Sequence, residues 1–146
     1  IDAVAVQVVA HAGGVGGDVV GAPAQRVAAG QLACRQGKRL LLLLQDKTRF
    51  IDVRIAVMAK QIQRGILIGR YERCNLGPTH FHFSYDVSRV HLLLLEDEGR
   101  YFAIDTASSC GTTCDRKPFT TMELTQTTRM VLADSLSVTW KFVDIE

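Results

Sequence analysis

From Lys38 onward the apolar residues fall in short segments of period two, and this pattern constrains the fold more than any other feature of the chain. Ile51, Val53, Ile55 and Val57 alternate with Asp52, Arg54 and Ala56, and Val138, Trp140 and Phe142 alternate with Thr139 and Lys141. Successive side chains of a strand point to opposite faces, so such alternation makes one buried face and one wet face. The residues involved are largely β-branched or aromatic, which suits a pleated surface. A helical stripe of Ile51, Ile55, Met58 and Ile62 competes over the first segment; the β-branched alternation favours a strand. Leu40 to Leu44 is a short continuous apolar run, as expected of a buried strand. Further strands are predicted at Ile66 to Gly69, Val90 to Leu95, Tyr101 to Asp105, Met130 to Ala133 and Ser137 to Val143. Turn-like sequences separate them, among them Gln45-Asp46-Lys47, Asp97-Glu98-Gly99 and Ser109-Cys110-Gly111. With no crossover helix evident after residue 63, the pattern predicts an all-β antiparallel sandwich or barrel whose loops gather at its ends.

The 146 residues suit one domain with a substantial core. All ten aromatic residues lie at or beyond Phe50, which places the core mainly in the later two thirds. Residues 1–36 are rich in Ala, Val and Gly, with little side-chain area to offset ordering, and are expected to be an extension, a linker or an appended strand; residues 37–146 are the expected domain. The glycines of Gly13-Gly14-Val15-Gly16-Gly17 suggest a phosphate cradle. No Lys-Ser or Lys-Thr follows them, however, and the last position of the dinucleotide-binding spacing is Asp18.

Charge narrows the partners. Seventeen Lys+Arg against 15 Asp+Glu give a formal net charge of +2, without the basic excess of a nucleic-acid-binding domain or a polybasic membrane surface. The longest leucine run falls far short of the ~20 apolar residues of a membrane helix. No signal-peptide pattern is visible, and Cys34, Cys74, Cys110 and Cys114 are expected as reduced thiols of a cytoplasmic protein. His80 and His82 alternate, and Cys110 and Cys114 lie close together, but the spacing is not a standard zinc pattern, so no metal or cofactor is expected. Ser88, His91 and Asp105 are the residue types of a hydrolytic triad, yet no nucleophile elbow accompanies them and no catalysis is expected.

Three segments carry the candidate chemistry: Gly69-Arg70 closing a strand, Ser88-Arg89-Val90-His91 opening another, and Asp105 to Thr112. They combine two guanidinium groups, several hydroxyls and glycine-supported amides, a set suited to a phosphate monoester. In order and context these segments resemble the forkhead-associated (FHA) domain, a phosphothreonine-peptide-binding family. The family's strand ending in Gly-Arg is matched by Ile66 to Arg70, its nearby Cys by Cys74-Asn75-Leu76, and its Ser-Arg-x-His by Ser88 to His91. Its Ser-Thr-Asn-Gly-Thr loop is matched by Ser108-Ser109-Cys110-Gly111-Thr112. The segments Leu124 to Leu132 and Ser137 to Val143 resemble the closing strands. The likeness spans roughly Lys38 to Val143.

The resemblance implies an FHA-like β-sandwich with functional loops at one end and no enzyme activity. Arg70 and Ser88 would bind the phosphate, Arg89 would add a polar contact, Ser109 would keep the hydroxyl of the family's Thr, and Cys110 would stand where an Asn holds the peptide main chain. Gly69, His91 and Gly111 are structural motif positions. A thiol bonds weakly, so Cys110 costs roughly 0.5–1.5 kcal/mol, about 2- to 12-fold in affinity. The family's Gly-Asp before the late strand is Thr127-Thr128 here. The implied function is recognition of phosphothreonine in a partner protein. The alternative is a degenerate module mediating phospho-independent interaction or dimerisation. Residues 77–87 and 113–121 are the expected variable loops, and the oligomeric state stays open.

Overall fold

The structure, a computed structural model, describes residues 6–10, 32–35, 37–46, 51–79 and 82–144. The glycines at positions 13–17, the remainder of the segment up to residue 31, Lys47 and His80 lie outside the described residues. The described chain forms an all-β sandwich of two antiparallel sheets, with strands numbered in chain order. In the larger sheet the order is β1 (Val6–Ala10), β4 (Ile51–Ala56), β3 (Lys38–Asp46), β12 (Leu136–Asp144), β11 (Thr128–Leu132), β8 (Thr112–Cys114) and β9 (Lys117–Pro118). The short β2 (Cys34–Arg35) pairs with β3. The smaller sheet runs β10 (Thr121–Glu123), β7 (Arg100–Asp105), β6 (Leu92–Asp97), β5 (Ile66–Ile68).

Alternation decides which residues meet between the sheets. Leu40, Leu42 and Leu44 of β3, Val53 and Ile55 of β4, and Val138 and Trp140 of β12 join one core with Ile66, Ile68, Leu92, Leu94, Tyr101 and Ala103 of the smaller sheet. The Trp140 and Tyr101 ring centroids are 5.2 Å apart across the sandwich, and Phe142 meets Trp140 edge-on at 6.0 Å. Each fully buried side chain of this size contributes about 1.5–3 kcal/mol. The leucine run of β3 reads as a strand buried throughout, but the sheet covers it on one face: Leu41 and Leu43 are only half-buried.

Three segments depart from the sequence reading. A six-residue helix, α1 (Ala59–Arg64), follows β4 and buries Ile62; Gly65 ends it at φ +100°, with its N–H donating to the Gln61 carbonyl at 2.9 Å. Residues 113–121, expected as a variable loop, instead form the β8–β9 hairpin and the start of β10. Asp115 and Arg116, both at positive φ, make its turn. Of the segment Leu124 to Leu132, only Thr128–Leu132 is a strand; Leu124 is anchored by its N–H to the Tyr101 carbonyl at 2.8 Å.

The segment before β3 is tied to the sheet. β1 pairs along the edge of β4, from Val6 opposite Ile55 to Ala10 opposite Ile51. Ala33 is buried; its N–H donates to the Val57 carbonyl at 2.8 Å and its carbonyl accepts from Leu40 at 3.0 Å. We propose a domain boundary just before Leu32. Removing residues 1–31 should leave a cooperatively folding domain, whereas removing residues 1–36 should cost about 1–3 kcal/mol more by orphaning buried backbone groups. Thermal unfolding of the two truncations checks this, and equal midpoints would place the boundary at residue 36.

Candidate functional site

The site is assembled mainly by backbone contacts. β5 ends at Ile68, and Gly69 then passes so close to the Ser88-Arg89 segment that an added Cβ would lie 2.2 Å from the Arg89 carbonyl oxygen. Only glycine fits this approach. Next to it, the Arg70 N–H donates to the Ser88 carbonyl at 3.1 Å and the Tyr71 N–H to the Arg89 carbonyl at 2.9 Å. A tight turn follows, closed by the Cys74 N–H on the Tyr71 carbonyl at 2.9 Å. Burial pushes the Cys74 thiol up, so it stays protonated and donates to the same Arg89 carbonyl at 3.3 Å. The Asn75 side-chain oxygen accepts from the Leu67 N–H at 2.8 Å, and the chain returns alongside β5.

His91 binds the second and third segments together from inside. It is fully buried. Nδ1 accepts the Ser88 N–H at 3.0 Å, so the proton sits on Nε2, which donates to the Gly111 carbonyl at 2.9 Å. Burial lowers its pKa below the ordinary histidine value, against the opposing pull of the Gly111 carbonyl and the Asp105 charge. Asp105 organises the third segment by accepting from the Ser108 N–H and hydroxyl at 2.8 and 2.6 Å and from the Thr112 hydroxyl at 2.7 Å. Burial alone would raise its carboxyl, but these bonds and His91 hold it below the usual range. The Ser108 hydroxyl in turn accepts the Gly111 N–H at 3.0 Å, with Gly111 at φ +81°.

The side chains named from the sequence fall on these loops. The half-buried Arg70 donates from Nε to the Val87 carbonyl. The Ser88 hydroxyl accepts the Ser109 N–H at 3.0 Å, joining two segments 21 residues apart in sequence. Ser109 and Cys110 are exposed at the tip of the third segment. Arg89 enters the network through its carbonyl, while its side chain stands exposed. Sequence reasoning assigned no part to Cys74, Asn75 or Thr112 in holding the loops, and Asp105 figured as the start of the third segment and as a triad candidate, not as its organiser. The triad itself is absent: His91 contacts the Ser88 backbone rather than its hydroxyl, and its Nε2 is 4.0 Å from the nearer Asp105 oxygen. Among the described residues no three potential ligands of a metal ion converge. Among them, too, no helix is long and apolar enough to cross a membrane.

Residues 66–133 match the family model for the FHA domain, from β5 through the end of β11. The chain carries an FHA domain. Solved structures of this fold resemble it over most of its length. The FHA domain of a hypothetical protein from Arabidopsis thaliana is 21% identical with a TM-score of 0.60, over 84% of this chain and 97% of that one. FHA-1 of Rv1747 from Mycobacterium tuberculosis is 20% identical with a TM-score of 0.54, over 71% and 97%. EmbR from the same organism, solved with a low-affinity phosphopeptide, is 17% identical with a TM-score of 0.55, over 80% of this chain and 28% of EmbR. At such identities these likenesses speak for the fold. No curated protein matches the chain significantly in sequence. FHA domains as a family are phosphopeptide-recognition modules rather than enzymes.

Proposed function

We propose that this FHA domain binds a phosphothreonine-bearing segment of a partner protein at the loops joining β5 to β6 and β7 to β8. Arg70 forms the charged anchor, the Ser88 and Ser109 hydroxyls add hydrogen bonds to the phosphate, Arg89 contributes a further positive charge, and Cys110 lies beside the peptide backbone. The observation that carries this reading is Arg70. Its guanidinium lies against the loop before β6, with Nε on the Val87 carbonyl and Tyr85 beside it, and no carboxylate of the described residues pairs with it. A half-buried guanidinium without an internal anion is suited to an external one, and a phosphate dianion takes its forked donors well. Ser88 supports the reading as well, since accepting from Ser109 leaves its hydroxyl proton free to donate.

The test is a fluorescence-polarisation titration with a degenerate phosphothreonine peptide library and its unphosphorylated counterpart. The phosphorylated pool should bind and the other should not. Arg70→Ala removes a charged hydrogen bond worth about 1.5–3 kcal/mol and should weaken binding at least about tenfold, with little change in the thermal midpoint. An equal fall in stability would make Arg70 a structural residue. If no library peptide binds the natural domain, the module acts instead through phospho-independent interaction or dimerisation.

A further inference from the structure

Tyr85 has no part in the core. It is 87% exposed, an unusual placement for a large ring in a described set whose other aromatic rings, Tyr71 at 42% apart, are at least half-buried. The chain nevertheless fixes its position. The Val87 N–H donates to the Ser84 carbonyl at 3.1 Å and the Asp86 N–H to the Ser84 hydroxyl at 3.3 Å, closing a tight turn with Tyr85 near its apex. On either side Phe83 and Val87 are buried, so both ends of the turn are anchored in the sandwich. The result is a ring presented by the scaffold, with the Arg70 guanidinium carbon 5.6 Å from its centroid, inside the range of a cation–π contact.

We infer that Tyr85 is a positioning residue for the phosphate site: the turn holds its ring against the Arg70 guanidinium while the Val87 carbonyl of the same turn holds Nε. This rests on the phosphothreonine reading and adds a residue that reading does not use. An arginine side chain has ample rotamer freedom to lose on binding an anion, and two fixed contacts remove part of that cost beforehand. The contacts do not compete with the ligand. A phosphate uses the N–H groups of the guanidinium, Nε alone is taken by the Val87 carbonyl, and no described residue accepts a bond from the two terminal nitrogens.

The experiment uses the full chain, a fluorescent phosphothreonine peptide selected from the library, and the variants Tyr85→Ala and Tyr85→Phe. Exposed cation–π contacts correspond to about a two- to fivefold change in affinity, so Tyr85→Ala should weaken binding by about that factor while Tyr85→Phe binds like the natural protein. The Arg70 Nε–H resonance should move in Tyr85→Ala and stay in place in Tyr85→Phe, since it reads the ring above the guanidinium directly. Thermal midpoints should be alike in all three proteins. If the natural protein binds the peptide and Tyr85→Ala binds equally well, Tyr85 does not position Arg70 and the phosphothreonine reading stands. Equal weakening in both variants overturns the inference in favour of a direct contact from the phenol hydroxyl. Failure of the natural chain to bind any library peptide removes the phosphothreonine reading and this role with it.

Discussion

Replacing His91 with leucine should lower the unfolding free energy by about 2–6 kcal/mol, because the Ser88 N–H and the Gly111 carbonyl each lose their partner and a buried orphan costs about 1–3 kcal/mol. The thermal midpoint should fall on the order of 10 °C. The substitution also has a pH signature. His91 is held neutral by burial, so its folded pKa lies below the ordinary value of 6.5 while the unfolded chain titrates near that value. Below about pH 6.5 the unfolded state therefore binds the extra proton first, and stability falls with pH until the folded pKa is passed. The contribution is fully present above pH 6.5 and should vanish from the pH profile of His91→Leu. Asp105, also depressed, acts lower, below its ordinary value of 3.8, so the two windows are separable. Denaturant titrations at pH 7.5 and 5.5 check this; an unchanged pH dependence in His91→Leu would assign the effect to another group.

Gly69→Ala should disable the site by a different route. The new Cβ meets the Arg89 carbonyl oxygen at 2.2 Å and its carbon at 2.8 Å, and the opposing atoms are backbone that no rotamer change can move. Overpacking usually costs about 1–3 kcal/mol, and a backbone clash belongs at the upper end. Relief requires β5 and the Ser88-Arg89 segment to part, which stretches the Arg70 and Tyr71 N–H bonds that hold the two loops in register. Phosphopeptide affinity should fall more than tenfold even where the variant is still folded. Amide spectra should show the perturbation concentrated at residues 69–77 and 88–91, with β12 undisturbed. Natural affinity in a folded Gly69→Ala protein would show that the close approach is dispensable.

The legible parts of the fold were those in which side-chain chemistry and strand period agree. β4 could be read because Ile51, Val53 and Ile55 are β-branched and alternate with polar residues. β12 could be read because Val138 and Trp140 alternate with Thr139 and Lys141. The short elements could not. β8, β9 and β10 have two or three residues each, too few for a period, and backbone pairing to β11 and β7 maintains them. α1 is six residues long and buries little beyond Gln61 and Ile62, so of the competing stripe through Ile51, Ile55, Met58 and Ile62 only the last step, from the N-cap Met58 to Ile62, belongs to a helix. β1 lies in the Ala/Val/Gly-rich stretch for which an appended strand was one expectation, but Gln7 is its one polar residue, too little alternation to locate the strand or its partner β4. At the site, the motif glycines and the Ser88 to His91 sequence stood out. The bonds from Cys74 to Arg89, Ser109 to Ser88 and His91 to Gly111 span 15 to 21 residues and end largely on backbone atoms, which carry no mark in a sequence.

The double clasp on the Arg89 carbonyl separates two inheritances. The turn from Tyr71 to Cys74 grips position 89 by its backbone, and the fold makes no use of the exposed side chains of Arg73 and Arg89. The same holds for the exposed Cys110 at the tip of the third segment. Exchanges at such surface positions usually change stability by no more than about 0.5 kcal/mol. Under the proposed function, a lineage, or a directed library, can therefore revise which peptide the loops prefer one substitution at a time, with each intermediate still folded. Gly69, His91 and Asp105 offer no such latitude, because each satisfies or admits backbone that no neighbouring residue can replace.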